Sequence, residues 1–526
     1  MSMYDDLKDF IGFIQQYENV TIPNLDEFNQ GMLDYQEKIT DIRFLPEEEK
    51  KELLGYLIEH VEHFQELLQI YIYSVLAYFF EGGSYVDRIL ELTENSPILV
   101  EENRYFIYNQ IEMYGFRWEK PISKEISWKL RMMYRDIYHS YRKQLGIKPG
   151  VVPVEKRNKM VVVFLISQYL NEMHGPTKTV LDRCEVLAEK MGAMPVIMNT
   201  AELGSRSGYI PYFQPLFGSY LEHMQNTRKV TYHGREFPYI QYSKIMPNPL
   251  EMGNMLQTVL QLNPYCIIQI GGNSICADLC SNFYPVITVG TVPSSLMTSE
   301  GQFLLKGSPI SEEDREHVKK LGFSDNYLQY CLFTSSFNKQ TNHFSREQYG
   351  IPEDAFTAII VGARLDFEVN DRFIEEVLVP IMEQGIIPVF VGIFDDYHKF
   401  TERYPLLQEK SIFVGFVKDI LAINELCDIY VNPYRSGGGT SVVEAMAKKL
   451  PPVSLDHGDV ALGAGKEFCV DSFAEMVDRI IRLRNDAEYY AEMSEKAYER
   501  MKYVTNSKEI FWETFQRIEK LPEFQS

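Results

Sequence analysis

A buried strand, three glycines and a helix follow one another in Val431-Asn-Pro-Tyr-Arg-Ser-Gly-Gly-Gly-Thr-Ser-Val-Val-Glu-Ala-Met-Ala-Lys-Lys-Leu-Pro-Pro-Val453. The glycines Gly437–Gly439 can adopt backbone angles that other residues avoid, and they let a ligand approach the main chain closely. Thr440 and Ser441 favour a helix start, where free N–H groups and about half a positive charge collect and attract phosphates. Glu444 lies further along this helix, where its carboxylate can accept hydrogen bonds from ribose hydroxyls. The stretch therefore predicts a nucleotide diphosphate site, with a plain glycine turn as the alternative.

Apolar, largely β-branched runs alternate with helical segments through the rest of residues 158–505. Such runs are typical of strands that are buried on both faces of a parallel sheet. The predicted strands are Met160–Ile166, Pro195–Met198, Cys266–Ile270, Val286–Val289, Phe356–Val361, Ile387–Val391, Ile412–Val414, Ile429–Val431 and Pro452–Leu455. The alternation predicts two α/β domains, at 158–345 and 355–505, that face each other across a cleft. Glycines follow several of the strands, at the sheet edge where such folds bind ligands.

Residues 1–150 have a different hydrophobic periodicity, in which apolar and aromatic residues recur every three or four residues. This spacing predicts an all-α N-terminal domain, for which we expect a role in acceptor docking or in homo- or hetero-oligomerisation. Residues 506–526 are predicted to form a C-terminal helix that packs back across the cleft.

Composition excludes several classes of protein. The formal net charge of −22 repels phosphate backbones and anionic lipids, so a nucleic-acid or membrane-surface role is not expected. The longest charge-free apolar run, Leu67–Phe80, is too short to span a bilayer, and the acidic start of the chain does not resemble a signal peptide. Seven scattered cysteines are typical of reduced thiols in a cytoplasm. We expect a cytoplasmic protein without a transmembrane segment.

Four segments resemble the GT-B glycosyltransferases, in particular the large retaining family that includes sucrose and glycogen synthases and many bacterial glycan transferases. Val361–Glu368 resembles the family's Gly-Arg-Leu-x-x-x-Lys-Gly signature, and Ile412–Phe416 resembles the turn that meets the uracil ring. Asn432–Pro451 resembles the phosphate loop with its ribose-binding helix. His174–Lys178 is similar to the loop after the first strand, which faces the reacting sugar. The resemblance covers about residues 158 to 505 and implies a GT-B fold, with two Rossmann-like parallel-sheet domains.

The resemblance also implies roles for individual residues. Arg364 and His174 are the candidate catalytic residues, although a surface salt bridge for Arg364 and a loop-capping role for His174 remain open. The donor diphosphate is expected at Arg364, Arg435, Gly437, Gly438, Gly439, Thr440 and Ser441, the ribose at Glu444, and the nucleobase at Val414 and Phe416. Further contacts with the sugar are expected from Gly175, Ser436 and Asp459, and a turn-forming role is the alternative for Asp459.

The chain departs from the family pattern at two positions. Ser436 stands where the first Glu of the family's Glu-x7-Glu motif approaches the donor sugar, while Glu444 matches the second Glu. The Lys that follows Arg364 in the family is also missing, because Glu368, Val369 and Asn370 occupy that region. Donor sugar and anomeric outcome therefore stay open, although the resemblance favours retention of configuration.

The sequence lacks any Asp-x-Asp pair, the motif with which other glycosyltransferases hold a divalent metal. The resemblance implies transfer of a sugar from a nucleotide-diphosphate donor to a protein or glycan acceptor, and the donor is expected to be a UDP-sugar because Ile412–Phe416 resembles the uracil turn. No metal and no cofactor are expected, since a helix N-terminus and an arginine can stabilise the leaving diphosphate by fixed electrostatics. The alternative is a catalytically degenerate GT-B protein that serves as chaperone or partner subunit of an active glycosyltransferase.

Overall fold

The computed structural model describes residues 3–17, 25–80, 84–117, 122–171, 174–202, 220–243, 245–293, 295–332 and 339–526. These residues form a helical N-terminal region followed by two parallel-sheet α/β domains, so the predicted fold class is confirmed. None of the helices within the described ranges combines the length and the apolar composition that a membrane crossing requires.

The N-terminal region is built from helices only. They are α1 (Met3–Gln15), α2 (Leu25–Ile39), α3 (Glu47–Leu53), α4 (Gly55–His60), α5 (Glu66–Phe79), α6 (Ser84–Asn95), α7 (Glu101–Arg117) and α8 (Lys124–Gln144), with 3₁₀ turns at Thr40–Phe44 and Val61–His63. Helix α8 begins at Ser123, whose side chain accepts a hydrogen bond from the Ile126 amide at 3.1 Å. Helix α5 is apolar on all sides, and accordingly it is buried on all sides.

The first α/β domain contains an eight-stranded sheet in the order β3-β4-β2-β1-β5-β6-β7-β8. Its elements are β1 (Asn158–Ile166), α9 (Gly175–Lys190), β2 (Met194–Asn199), β3 (Lys229–Tyr232), β4 (Arg235–Gln241), α10 (Pro249–Leu262), β5 (Pro264–Gly271), α11 (Ile275–Cys280), β6 (Val286–Gly290), β7 (Phe303–Lys306), α12 (Glu312–Lys320) and β8 (Leu328–Tyr330). All neighbouring strands pair in parallel except β3 and β4, which form an antiparallel edge. Short 3₁₀ turns occur at Val154–Lys156 and Glu222–Met224.

The second α/β domain contains a six-stranded parallel sheet in the order β11-β10-β9-β12-β13-β14. Its elements are β9 (Phe356–Gly362), α13 (Leu365–Glu368), α14 (Asp371–Phe373), α15 (Val379–Glu383), β10 (Ile386–Gly392), α16 (Tyr397–Arg403), α17 (Pro405–Lys410), β11 (Ile412–Gly415), α18 (Ile420–Asn424), β12 (Ile429–Val431), α19 (Gly439–Met446), β13 (Pro452–Leu455), α20 (Gly458–Ala464), β14 (Cys469–Val470), α21 (Phe473–Asn485) and α22 (Ala487–Val504). A π-helical turn, Ile374–Leu378, joins α14 to α15, and 3₁₀ turns occur at Arg346–Tyr349 and Lys466–Phe468.

The helical region covers one face of the first sheet. Val163, Leu165 and Ile267 point from the central strands into the same continuous apolar core as Leu76 of α5 and Ile137 of α8. Polar contacts fix the same interface: the Tyr134 hydroxyl donates to Asp278 at 2.5 Å, and Arg131 pairs with Glu300 at 2.5 Å. The N-terminal helices thus form the layer that covers this face of the sheet.

The chain ends on the opposite face of the first sheet. Helices α23 (Ser507–Ile518) and α24 (Pro522–Gln525) leave the second domain, and Phe511 and Phe515 join the core formed there by β1, β5 and α9. Lys190 of α9 pairs with Glu509 at 2.5 Å.

The helical region also contacts the second α/β domain, through a segment that we call the bridge, Thr40–Phe44. Asp41 pairs with Lys399 at 2.5 Å, Arg43 pairs with Asp396, and the ring of Phe44 packs edge-on against Phe400 at 5.4 Å. The helical region therefore connects both α/β domains.

Candidate active site

One cleft of about 2090 Å³ lies between the two α/β domains and reaches the helical region. The carboxyl ends of parallel strands from both sheets open into it, as expected for ligand sites in α/β folds. Its lining includes His174, Gly271, Gly272 and Asn273 from the first domain, Arg364, Phe416, Ser436, Gly437 and Gly438 from the second, and Asn109, Glu112 and Trp128 from the helical region. The structure thus brings six of the predicted site residues to one cavity: His174, Arg364, Phe416, Ser436, Gly437 and Gly438.

The glycine loop forms the start of helix α19. Gly438 is the N-cap residue with a φ of +97°, a left-handed conformation that favours glycine. Ser441 donates its hydroxyl proton back to the Gly438 carbonyl at 2.7 Å, and Gly439 and Thr440 form the first turn. The N-terminus of α19 therefore points its positive dipole end toward the cleft wall that Gly437 and Gly438 form.

Arg435 lies beneath this loop and not in the cleft lining, which differs from its predicted place at the diphosphate. Its side chain is only 2% exposed, and it donates to the Val361 carbonyl at 2.8 Å, to Glu368 at 2.7 Å and to Asn432 at 2.8 Å. Burial alone would lower the pKa of Arg435, but the charge of Glu368 outweighs it and the pKa is raised. A Cβ atom on Gly438 would lie 2.8 Å from the Arg435 guanidinium, so this arginine supports the loop from below.

Glu368 joins the two arginines of the site. It is 2% exposed and pairs with Arg435 through one carboxylate oxygen and with Arg364 through the other, at 3.1 Å. Arg364 itself is 19% exposed and lines the cleft. Glu368 lies in the region where the GT-B family that this sequence resembles has a lysine. In this structure its carboxylate holds Arg364 at the cleft wall. The trio carries a net charge of +1.

Glu444 faces the first domain instead of open solvent. Its carboxylate lies 3.9 Å from the ammonium group of Lys178 on α9, and the two side chains are 12% and 15% exposed. Burial raises the pKa of Glu444 to about 7, and the charge of Lys178 opposes that rise. The sequence does not single out Lys178 as a functional residue, because a lysine in the first turns of a helix is common.

His174 precedes α9 as its N-cap residue, and Gly175 begins the helix. The Nδ1 atom of His174 lies 3.0 Å from the Thr177 hydroxyl, which also accepts a hydrogen bond from the Leu170 amide. Burial lowers the pKa of His174 to about 4. The imidazole is therefore neutral at neutral pH and faces the cleft as a hydrogen-bonding group without charge.

The predicted nucleobase residues lie on the second domain's side of the cleft. Phe416 is 68% exposed and follows β11, so its ring is available for stacking. Val414 is half-buried within β11 and packs against the core of that domain. Asp459 is buried, and its amide donates to the Ser436 carbonyl at 2.7 Å, which ties α20 to the glycine loop.

Two further residues of the cleft escape sequence analysis. Glu112 on α7 reaches the cavity, where burial raises the pKa of its carboxyl group to about 7 and a hydrogen bond from Asn273 opposes the rise. Asn273 follows the glycines at the end of β5 and has a φ of +56°. The position of Asn273 after a strand and two glycines could have identified it from the sequence. Glu112 has no such signal, because its sequence context is that of an ordinary glutamate on a helix surface.

Comparisons with known proteins agree with this geometry. Residues 357–486 match the family model described as Glycosyl transferases group 1. A Bacillus subtilis (strain 168) protein, named provisionally as the teichuronic acid biosynthesis glycosyltransferase TuaC, is 29% identical over 200 residues, which are 36% of this chain. The match spans about half of that relative, 49% of its length.

The solved structure of a mutant Thermobaculum terrenum O-GlcNAc transferase superimposes with a TM-score of 0.56 at 10% identity. The superposition covers 98% of both chains, so the likeness in fold includes the helical region. The chain has the GT-B fold, and its second α/β domain carries the sequence of the glycosyl transferases group 1 family.

Proposed function

We propose that the protein is a metal-independent GT-B glycosyltransferase that moves a sugar from a UDP-sugar to a glycan or protein acceptor. The observation that carries the proposal is the shared cleft wall of Gly437, Gly438 and Arg364 at the N-terminus of α19. A nucleotide diphosphate requires such a combination of free amides, helix dipole and guanidinium.

The proposed reaction needs a stabilised leaving group. As the bond between the sugar and the diphosphate breaks, negative charge grows on the diphosphate. The N–H groups at the start of α19 and the Arg364 guanidinium then stabilise that charge without rearranging. Glu368 and Arg435 keep both elements in place, because they fix Arg364 from one side and the loop from below. We assign Arg435 to this supporting role.

The remainder of the donor has candidate partners in the same domain. We assign the uracil ring to Phe416, whose exposed face can stack on a base, and the ribose to Glu444. Lys178 pairs with the Glu444 carboxylate in this structure. Ribose hydroxyls would therefore replace Lys178 at that carboxylate or bind beside it. His174 is neutral and is assigned to a hydrogen bond with the donor sugar.

The absence of an Asp-x-Asp pair from the sequence supports a mechanism without a metal, and the family resemblance supports retention of configuration. Donor identity and metal independence are tested with a panel of UDP-, GDP- and ADP-sugars, assayed for hydrolysis with and without EDTA. We expect hydrolysis of a UDP-sugar that EDTA leaves unchanged. Loss of activity in EDTA and its recovery with Mn²⁺ would show that the metal-free mechanism is wrong.

A matched pair of variants tests the site. Arg364→Ala should weaken UDP binding about tenfold or more, since a charge-assisted hydrogen bond contributes about 1.5–3 kcal/mol. Arg372→Ala, which removes an exposed arginine paired with Glu376, should bind UDP like the wild type. UDP binding without turnover of any donor would favour the alternative, a partner subunit of an active glycosyltransferase.

A further inference from the structure

The cleft is larger than a donor site requires. Pockets for small ligands typically measure about 300–1,000 Å³, whereas this cleft has about 2090 Å³. The donor residues Arg364 and Gly437–Gly438 line the second domain's side. Helix α7 of the N-terminal region contributes Asn109 and Glu112 to another part of the wall, so the cavity has room for a second substrate beside the donor.

Helix α7 is anchored next to the end of strand β5. The Tyr105 hydroxyl donates to the Asn273 carbonyl and lies 3.2 Å from the Glu202 carboxylate. Asn109 is buried and donates its amide to the Tyr105 carbonyl at 2.9 Å. These bonds fix the turn of α7 that precedes Glu112.

Asn273 is held just as firmly. Its main-chain amide donates to the Thr298 carbonyl at 2.8 Å, and its side-chain oxygen accepts from the Thr298 amide at 3.3 Å. Asn273 and Glu112 line the same cleft, and the Asn273 amide acts to lower the pKa of the Glu112 carboxyl group. The two side chains form a preorganised pair with donor and acceptor atoms on the cleft wall.

Glu112 has no structural counter-charge in the described parts of the chain. Burial and the Asn273 amide alone set the pKa of its carboxyl group. A half-buried carboxyl group without a cation is costly to keep ionised, and such groups cluster where a ligand is bound or converted. Trp128 of the neighbouring helix α8 lines the same cavity and adds an apolar ring surface.

We propose that Glu112 and Asn273 form the acceptor subsite and hydrogen-bond adjacent hydroxyl groups of an uncharged sugar. This inference rests on the proposed function, since it places the acceptor opposite a donor bound at Gly437–Gly438. A carboxylate that accepts and an amide that donates match a pair of neighbouring hydroxyls, each of which can do both. At a pH above the Glu112 pKa of about 7, the same carboxylate repels phosphate or carboxylate groups on the acceptor, and it then selects a neutral glycan end over an acidic one.

The test uses the full chain saturated with UDP and a panel of methyl glycosides as acceptor probes. The panel contains methyl α- and β-glycosides of glucose, galactose and N-acetylglucosamine, with methyl glucuronide as the charged member, and binding is followed by saturation-transfer NMR. We expect at least one neutral glycoside to bind, and the glucuronide to bind at least tenfold more weakly.

Glu112→Ala should lose that binding by tenfold or more, while Glu125→Gln, an exposed glutamate on α8 outside the cleft, should keep it. Asn273→Asp gives an independent variant, because it preserves the side-chain shape but places a second carboxylate beside Glu112. UDP affinity and melting temperature are measured for every variant and should stay at wild-type values.

The outcomes separate the two proposals. If the wild type binds UDP but none of the glycosides, or if Glu112→Ala and Asn273→Asp both bind glycosides like the wild type, the acceptor subsite is wrong. Preferred binding of the glucuronide would overturn it as well. If the wild type does not bind UDP at all, the proposed glycosyltransferase function fails instead.

Discussion

At the residue scale, the buried trio of Arg364, Glu368 and Arg435 is the most sensitive point of the second domain. Glu368→Gln would leave the Arg435 guanidinium buried without its anionic partner, and breaking a buried pair in this way typically costs about 3–5 kcal/mol. We expect a loss of that size in the free energy of unfolding, measured by urea denaturation. The matched control is Glu376→Gln, which removes an exposed partner of Arg372 and should cost less than about 1 kcal/mol. Equal effects of the two variants would contradict this role of Glu368.

Gly438 is expected to tolerate no side chain. Gly438→Ala would place a Cβ atom 2.8 Å from the Arg435 guanidinium and would hold alanine at a φ of +97°. The loop must then shift, and UDP affinity, measured by calorimetry, should fall about tenfold or more, which corresponds to about 1.4 kcal/mol.

The control for Gly438 is Gly350→Ala, also in the second domain. Gly350 has a φ of +68°, but a Cβ atom there would meet open space. It therefore carries the same left-handed backbone cost of about 1–2 kcal/mol without the contact with Arg435. UDP affinity should not change in this variant. If it falls as in Gly438→Ala, backbone strain alone explains both results.

The sequence indicates which residue types the site needs but not which way they point. The position of Arg435 before the glycines predicts a phosphate ligand. In the structure its guanidinium instead pairs with the buried Glu368 beneath the loop. Glu112 carries no local signal, because only the packing of α7 against the end of β5 brings it to the cleft. Contacts between residues more than 60 positions apart decide both cases, and no spacing rule covers such contacts.

At the scale of elements, helix α9 of the first α/β domain meets helix α19 of the second through Lys178 and Glu444. Burial raises the pKa of Glu444 from 4.5 to about 7. The folded state thus binds a proton more tightly than the unfolded chain, so stability is highest below pH 4.5 with respect to this group. It falls as the pH rises to about 7 and is constant above.

Glu444→Gln should remove this pH dependence. Because one pKa unit corresponds to about 1.4 kcal/mol, the variant should gain up to ~3 kcal/mol over the wild type between pH 5 and pH 8. Urea denaturation at several pH values measures the difference. In Lys178→Gln the midpoint of the pH dependence should lie at a higher pH than in the wild type, because the positive charge that lowers the pKa of Glu444 is lost. A difference between Glu444→Gln and the wild type that is the same at every pH would disprove the linkage.

Most strands formed by continuous apolar runs were predictable from the sequence. Each apolar run identified in the sequence is a strand in the structure, because a continuous β-branched segment can be satisfied in few other ways. Strands β3, β4, β7, β8 and β14 were not predicted, since they are short or contain charged residues. The helical segment between β9 and β10 contains a π-helical turn at Ile374–Leu378, for which the sequence carries no signal.

At the scale of the whole molecule, the N-terminal helices belong to the core of the first α/β domain. A chain that begins at residue 151 would expose Val163, Leu165 and Ile267. We expect this truncated protein to aggregate or to bind the dye ANS strongly, as proteins with uncovered apolar faces do. Residues 339–504, whose core is separate, should melt cooperatively on their own. Cooperative melting of the truncated protein without ANS binding would contradict the shared core.

The sequence does not reveal this arrangement. The apolar sequence of helix α5 shows that this helix must be buried. It does not show which apolar surface of the protein covers the helix. Docking and oligomerisation through residues 1–150 remain predictions, and the structure adds a third role, since the bridge Thr40–Phe44 also contacts the second α/β domain. A movement of the two domains against each other must therefore strain or break the contact between Phe44 and Phe400.

The shared core has a consequence for biosynthesis. Helix α5 leaves the ribosome long before the last of its partner strands, since Phe79 and Val286 are separated by about 200 residues, or roughly 10–40 s of synthesis at common rates. During that interval the neighbouring N-terminal helices can pack against this apolar helix, but the strands that complete its core are not all present. The nascent chain is then a natural client for chaperones that hold apolar segments, and slow translation of residues 80–286 would lengthen its exposure. Yield in a cell should consequently depend more on the speed of translation through the first domain than on the stability of the folded protein.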